Sequence, residues 1–127
     1  MTGRPTRRDR GQASVELALV LPLVLMLLLA VVQVALVARD AILVVHAARE
    51  AVREAAVDAA SRTARTAAEA GSGLRAPRLS VRVVKRERPG GQVQVDVKYR
   101  AATDVPLIGP LIPDVKLSSR AVMRVEW

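Results

Sequence analysis

From Leu17 to Ala38 every residue is apolar except Gln33, and Pro22 is the sole helix breaker. At ~1.5 Å per residue, a helix over this run reaches across a bilayer hydrocarbon core of ~30 Å. Leu and Val each favour insertion by roughly 0.3 to 0.6 kcal/mol, so the many such side chains outweigh Pro22, Gln33 and a peripheral Glu16. Residues 12–40 are therefore expected to form a transmembrane helix, because no other segment has the bulk to wrap it as the core of a soluble protein. The run exceeds the ~7 to 15 residues of a signal-peptide core, and no two alanines near its end have small-x-small spacing. Removal after the run is not expected.

Residues 1–11 carry Arg4, Arg7, Arg8 and Arg10 against Asp9. That bias reads as a basic leader on the cytoplasmic side of a single-pass chain, with the C-terminal region exported. The exported side itself begins with Arg39 and is not poor in arginine. Net charge is +8, which suits an anionic partner such as lipid headgroups, wall polymer or nucleic acid. Nucleic acid explains only the charge. One Trp, one Tyr and no Phe give few stacking platforms, and the basic residues fall on both sides of the expected membrane. There is no cysteine, hence no disulfide framework or thiolate metal site.

Beyond the span, residues 41–70 are alanine-rich. Val45, Ala48, Val52, Ala56 and Ala59 recur every three or four residues, with Arg49, Glu50, Arg53, Glu54 and Asp58 opposite, which predicts an amphipathic helix. With no Gly or Pro before Gly71, one continuous helix from Gln12 to Ala70 is expected, roughly 90 Å long. Its charges suggest pairs such as Glu50 with Arg53 and Asp58 with Arg62. Gly71, Gly73 and Pro77 mark a linker over 71–78.

Within 79–127 the period becomes two. Leu79, Val81 and Val83 alternate with polar residues, as do Val93, Val95, Val97 and Tyr99, and then Val115, Leu117, Ala121, Met123 and Val125. Arg88-Pro89-Gly90-Gly91 is a hairpin turn signal. The loop 105–113, VPLIGPLIP, holds too many prolines for a central strand. A three-stranded antiparallel sheet must cover its apolar face, and the alanine-rich helix is available for that. The expected fold class is α+β, a long helix packed on a small sheet.

A basic leader and glycine, a spanning helix, an exported helix and a small sheet together resemble the type IV pilin-like architecture. The chain is similar to the TadE-like family, minor pilins or pseudopilins of the tight-adherence (Flp) pilus system. The resemblance rests on GQASVELALVLPLVLMLL at 11–28, AAREAVREAA at 47–56, VPLIGPLIP and the closing SSRAVMRVEW. It implies cleavage between Gly11 and Gln12 by a prepilin peptidase, which makes Gln12 the new N-terminus and Glu16 the fifth mature residue, acting in assembly. It implies no enzymatic activity, no cofactor and no small-molecule substrate. Its partners would be the prepilin peptidase, other pilin-like subunits and membrane lipid. Flp-type major pilins commonly carry tyrosine after this glutamate and are much shorter; Leu17 and a sheet domain here argue for a minor component.

A carboxylate on Glu16 of one subunit would neutralise the α-ammonium of Gln12 on its neighbour, a pairing that strengthens in low dielectric. Placement in the first helical turn, favoured by the helix dipole, is a compatible simpler account. The competing class is a signal-anchored envelope protein whose basic exported domain binds an anionic wall polymer or lipid; it leaves the spacing of Gly11 and Glu16 unexplained. Among other residues, His46 has no second histidine or cysteine to join it in metal binding, and no catalytic set is visible. Leu107, Ile108, Leu111 and Ile112 form either a partner patch or a seal on one end of the sheet.

Overall fold

The computed structural model describes residues 7–126, with side chains from Gly11 onward; Arg4 and Trp127 lie outside the described residues. Helix α1 runs over Arg7–Val57, about 75 Å at 1.5 Å per residue. Helix α2 covers Ser61–Ser72. Strands β1 (Leu79–Arg86), β2 (Gln92–Ala101) and β3 (Val115–Arg124) follow, forming one antiparallel sheet in the order β1-β2-β3. The fold is α+β, a long N-terminal helix on a small three-stranded sheet.

The alanine-rich segment is two helices, which corrects the expected continuous one. Asp58 makes the break. Its carboxylate accepts the Ala60 N–H at 2.9 Å and the Thr63 hydroxyl at 2.8 Å, a local turn that competes with helical continuation. Among the described residues, neither the Glu50–Arg53 nor the Asp58–Arg62 ion pair forms; the i,i+4 pair is Arg65–Glu69. From the break, α2 turns back along α1. A Cβ built on Gly71 would lie 2.9 Å from Glu50 Cγ. Gly73 then closes α2 with φ 66°, a left-handed position that suits glycine.

Both helices cover one face of the sheet, α1 against β2 and β3 and α2 against β1. The central strand is the best buried, with Val93, Val95, Val97, Tyr99 and Ala101 all inward. Against it pack Val44, Ala47, Ala48, Ala51, Val52, Ala55 and Ala56 of α1, and Ala64 and Ala68 of α2. The buried stripe of α1 is thus rotated from the expected one: Ala48, Val52 and Ala56 hold, whereas Val45 and Ala59 are exposed.

One irregularity fastens the far end. The β1–β2 register shifts between Val83 and Lys85, a bulge at Val84 that reverses the inward-outward phase of the strand. Arg86 consequently pairs with inward-facing Val93. Its guanidinium donates to the carbonyls of Ala55 (3.1 Å), Ala56 and Val57 (both 3.5 Å). These are last-turn carbonyls of α1, which have no intrahelical donor.

The outward face of the sheet is strongly basic. Arg120 donates two hydrogen bonds to Asp96, at 2.8 and 3.1 Å. Arg120 holds the Asp96 carboxyl below the ordinary carboxylate range, chiefly by this hydrogen bonding and then by its charge; the Ala60 N–H and the Thr63 hydroxyl do the same for Asp58. A carboxyl with a depressed folded-state pKa contributes stability that is present above its unfolded pKa and lost as pH falls through the folded one. The melting temperature of the domain is therefore expected to hold from neutral pH down to about pH 5 and to fall below about pH 4. Asp96→Asn should flatten that acid limb, and an unchanged limb, measured by circular dichroism, would exclude Asp96 as a contributor.

Candidate functional site

Gly11, Gln12 and Glu16 all lie on α1, exposed, near the helix end opposite the sheet domain. The structure brings Gln12 and Glu16 together: the Gln12 amide Nε2 donates to Glu16 Oε1 at 3.2 Å. Residues four apart face the same side of a helix, one turn from each other. Among the described residues, no hydrogen bond or ion pair joins this group to the domain. A Cβ added at Gly11 would meet nothing within 4 Å, so the glycine is not required by packing. Glu16 likewise contributes nothing to the core.

The apolar run between them and the domain is bare. All residues over 11–28 are exposed, leucines and valines included, on a helix long and apolar enough to cross a membrane. Leu29 and Ala30 are half-buried and Gln33 is 3% exposed. Gln33 Nε2 donates to the Ala102 carbonyl at 3.4 Å, while its Oε1 is buried without a partner among the described residues. The lone polar residue of the run is therefore where the domain docks. Farther along, Leu36, Arg39 and Asp40 of α1 share a groove with Leu74, Tyr99 and Ala102.

Ala102 opens the loop between β2 and β3, the end of the domain closest to the bare helix. Asp114 ties its base, accepting from the Thr103 N–H and hydroxyl, both at 3.3 Å, and from Arg78 at 3.0 Å. Arg75 pairs with Asp104 at 3.2 Å. Gly109 sits where a Cβ would fall 2.2 Å from the Thr103 carbonyl oxygen, so only glycine lets the loop fold down on itself. The four apolar residues of the expected patch divide. Ile108 is buried and seals, whereas Leu107, Leu111 and Ile112 are 61%, 69% and 41% exposed. Leu107 has φ 68°, a left-handed conformation that costs a residue with a side chain roughly 1–2 kcal/mol.

His46 is exposed, and among the described residues no group of His, Asp or Glu is placed to hold a metal. Three residues that organise the molecule carry no motif: Asp58 at the helix break, Arg86 at the helix end and Asp114 at the loop base. The adjacent Val83 and Val84, which break strict alternation, were the one visible sign of the bulge behind Arg86.

A family model described as TadE-like protein matches residues 11–53. That stretch comprises the glycine, the glutamate, the apolar run and most of the α1 face packed on the sheet, and its family is the one the sequence resembles. No curated protein and no solved structure matches the chain.

Proposed function

We propose that this chain is a TadE-like minor pilin or pseudopilin, cut between Gly11 and Gln12 by a prepilin peptidase and taking part in assembly of a Flp-type tight-adherence pilus. The match to the TadE-like family supports association with the Tad pilus. The observation that carries the finer reading is the placement of Gly11, Gln12 and Glu16, exposed and without a role in the fold, at the head of a bare apolar helix whose other end holds the domain. The leader faces the cytoplasm and the domain is exported. The protein has no catalytic activity of its own, takes no cofactor, and meets the peptidase, membrane lipid and other pilin-like subunits.

N-terminal sequencing of the membrane-fraction protein tests this reading, with Gln12 as the expected first residue. Gly11→Leu should accumulate as full-length precursor, because a peptidase pocket that fits glycine rejects a branched side chain. The open space around Gly11 means the substitution leaves the fold intact. Normal cleavage of Gly11→Leu would refute the site.

A second reading is favoured by the outward face of the sheet, where Arg82, Lys98, Arg100, Lys116, Arg120 and Arg124 surround Asp96. On that reading the chain is a signal-anchored envelope protein holding an anionic wall polymer. It would keep its leader, so the same sequencing experiment separates the two.

A further inference from the structure

We infer that the loop between β2 and β3 is a membrane-seated wedge: Leu107, Leu111 and Ile112 enter the leaflet on the domain's side, and Lys98, Arg100 and Lys116 lie at its anionic headgroups. The inference rests on the reading of α1 as a membrane span and is independent of cleavage and pilus assembly.

Depth carries the argument. Counted from Glu16 at one face, ~20 helical residues cover a hydrocarbon core of ~30 Å, which puts the opposite edge near residue 36. The domain does not wait for that edge. It contacts α1 at Gln33 through the Ala102 carbonyl, and Leu29 and Ala30, one turn nearer the bare helix, are half-buried. Sliding the helix until the loop cleared the lipid would draw Glu16 well into hydrocarbon, where an ionised side chain is costly. The loop therefore occupies the edge of the apolar layer. Its tip suits that position, exposing Leu107, Leu111 and Ile112 among Pro106, Pro110 and Pro113, while the two exposed carboxylates of the loop, Asp104 and Asp114, stand at its base, paired with Arg75 and Arg78.

Charge agrees with depth. Arg100 stands directly across from Lys116 on the outward face of the sheet, one residue from the strand ends that feed the loop, and Lys98 lies two positions away. Like charges directly opposite across an antiparallel pair are unfavourable. Phosphodiester headgroups at that level would neutralise them, as basic residues next to a membrane do with anionic lipid. The loop itself is firmly built, held by Asp114 and by the close approach of Gly109 to the Thr103 carbonyl, so the apolar side chains are presented on a fixed support.

The absence of cysteine makes the test clean. Single variants Leu111→Cys, Val24→Cys and Arg88→Cys of the full chain are spin-labelled and reconstituted into vesicles of phosphatidylcholine and phosphatidylglycerol. Collisions with oxygen, which partitions into lipid, are compared with collisions with a water-soluble nickel chelate. The expected order is lipid-like at 24 and 111 and water-like at 88. A water-like label at 111 beside a lipid-like label at 24 overturns the wedge and leaves the span standing. Water-like labels at both overturn the span and the wedge together. A label at 111 shielded from both reagents shows a protein, a second copy included, covering the loop, and also overturns the proposal. In phosphatidylcholine alone, or with Arg100→Gln and Lys116→Gln combined, oxygen exposure at 111 should drop; no change would refute the headgroup contact.

Discussion

On the proposed pilin function, Glu16→Leu is expected to insert in the membrane and to be cut after Gly11 at normal levels, yet to be lost from complexes with pilin-like partners. Insertion survives because replacing a carboxylate at the edge of an apolar run lowers the cost of burial. Folding survives because Glu16 is exposed and lies far along α1 from the core. Assembly fails because the Gln12 α-ammonium released by cleavage would enter the subunit interface without its counter-charge. Leaving one member of a buried pair unmatched costs roughly 3–5 kcal/mol, a factor of roughly 10² to several thousand in association. Glu16→Asp should be intermediate, keeping the charge but losing reach. Crosslinking or co-purification in cells with matched membrane levels and matched cleavage decides the matter. Wild-type incorporation of Glu16→Leu would rule the pairing role out; the helix-terminus account expected for Glu16 does not hold in the structure, because α1 begins at Arg7, more than two turns before it.

The residues that announce themselves in the sequence are those whose work does not depend on distant parts of the chain. Alternating apolar residues located all three strands, Pro89 to Gly91 located the turn, and the apolar run located the helix, because each pattern records a local periodicity. The break at Asp58 was hidden because alanine offers no preference for one side of a helix over another. What ends α1 is a side-chain turn made worthwhile by Ala64 and Ala68 packing back with the α1 alanines. The same uniformity concealed the rotation that exposes Val45 and buries Val44 and Ala47. Arg86 belongs to a second kind of hidden residue: its inward aim follows from a single-residue phase change at Val84. Gln33 was visible as an exception to the apolar run, but its purpose required the position of Ala102, 69 residues away. Gly11, Gln12 and Glu16 are the opposite case. Their proposed chemistry lies between chains, so spacing in the sequence marks them while contacts within one molecule do not.

Ala51→Leu is expected to destabilise the domain sharply while leaving insertion intact. Ala51 is fully buried, in a row with Ala47 and Ala55 one turn to either side, and it clusters with Ala64 and Ala68 of α2 and the inward valines of β2. Side chains this small set how closely α1 approaches both the sheet and α2. Leucine would add three heavy atoms where interiors are packed to crystal density, and such overpacking costs typically ~1–3 kcal/mol. In a domain of this size each kcal/mol shifts the melting temperature by roughly 4–8 °C, so a fall of ~5–20 °C is expected. The bare helix over 11–28 has no contact with the domain to lose, so membrane levels should stay normal while the region after Gly71 becomes sensitive to protease. Val45→Leu adds one methylene to a side chain already 40% exposed, and should change the melting temperature little. Circular dichroism of the full chain in detergent reads both variants. Equal stability of Ala51→Leu and Val45→Leu would mean that the spacing of helix and sheet is set by something other than the alanine stripe.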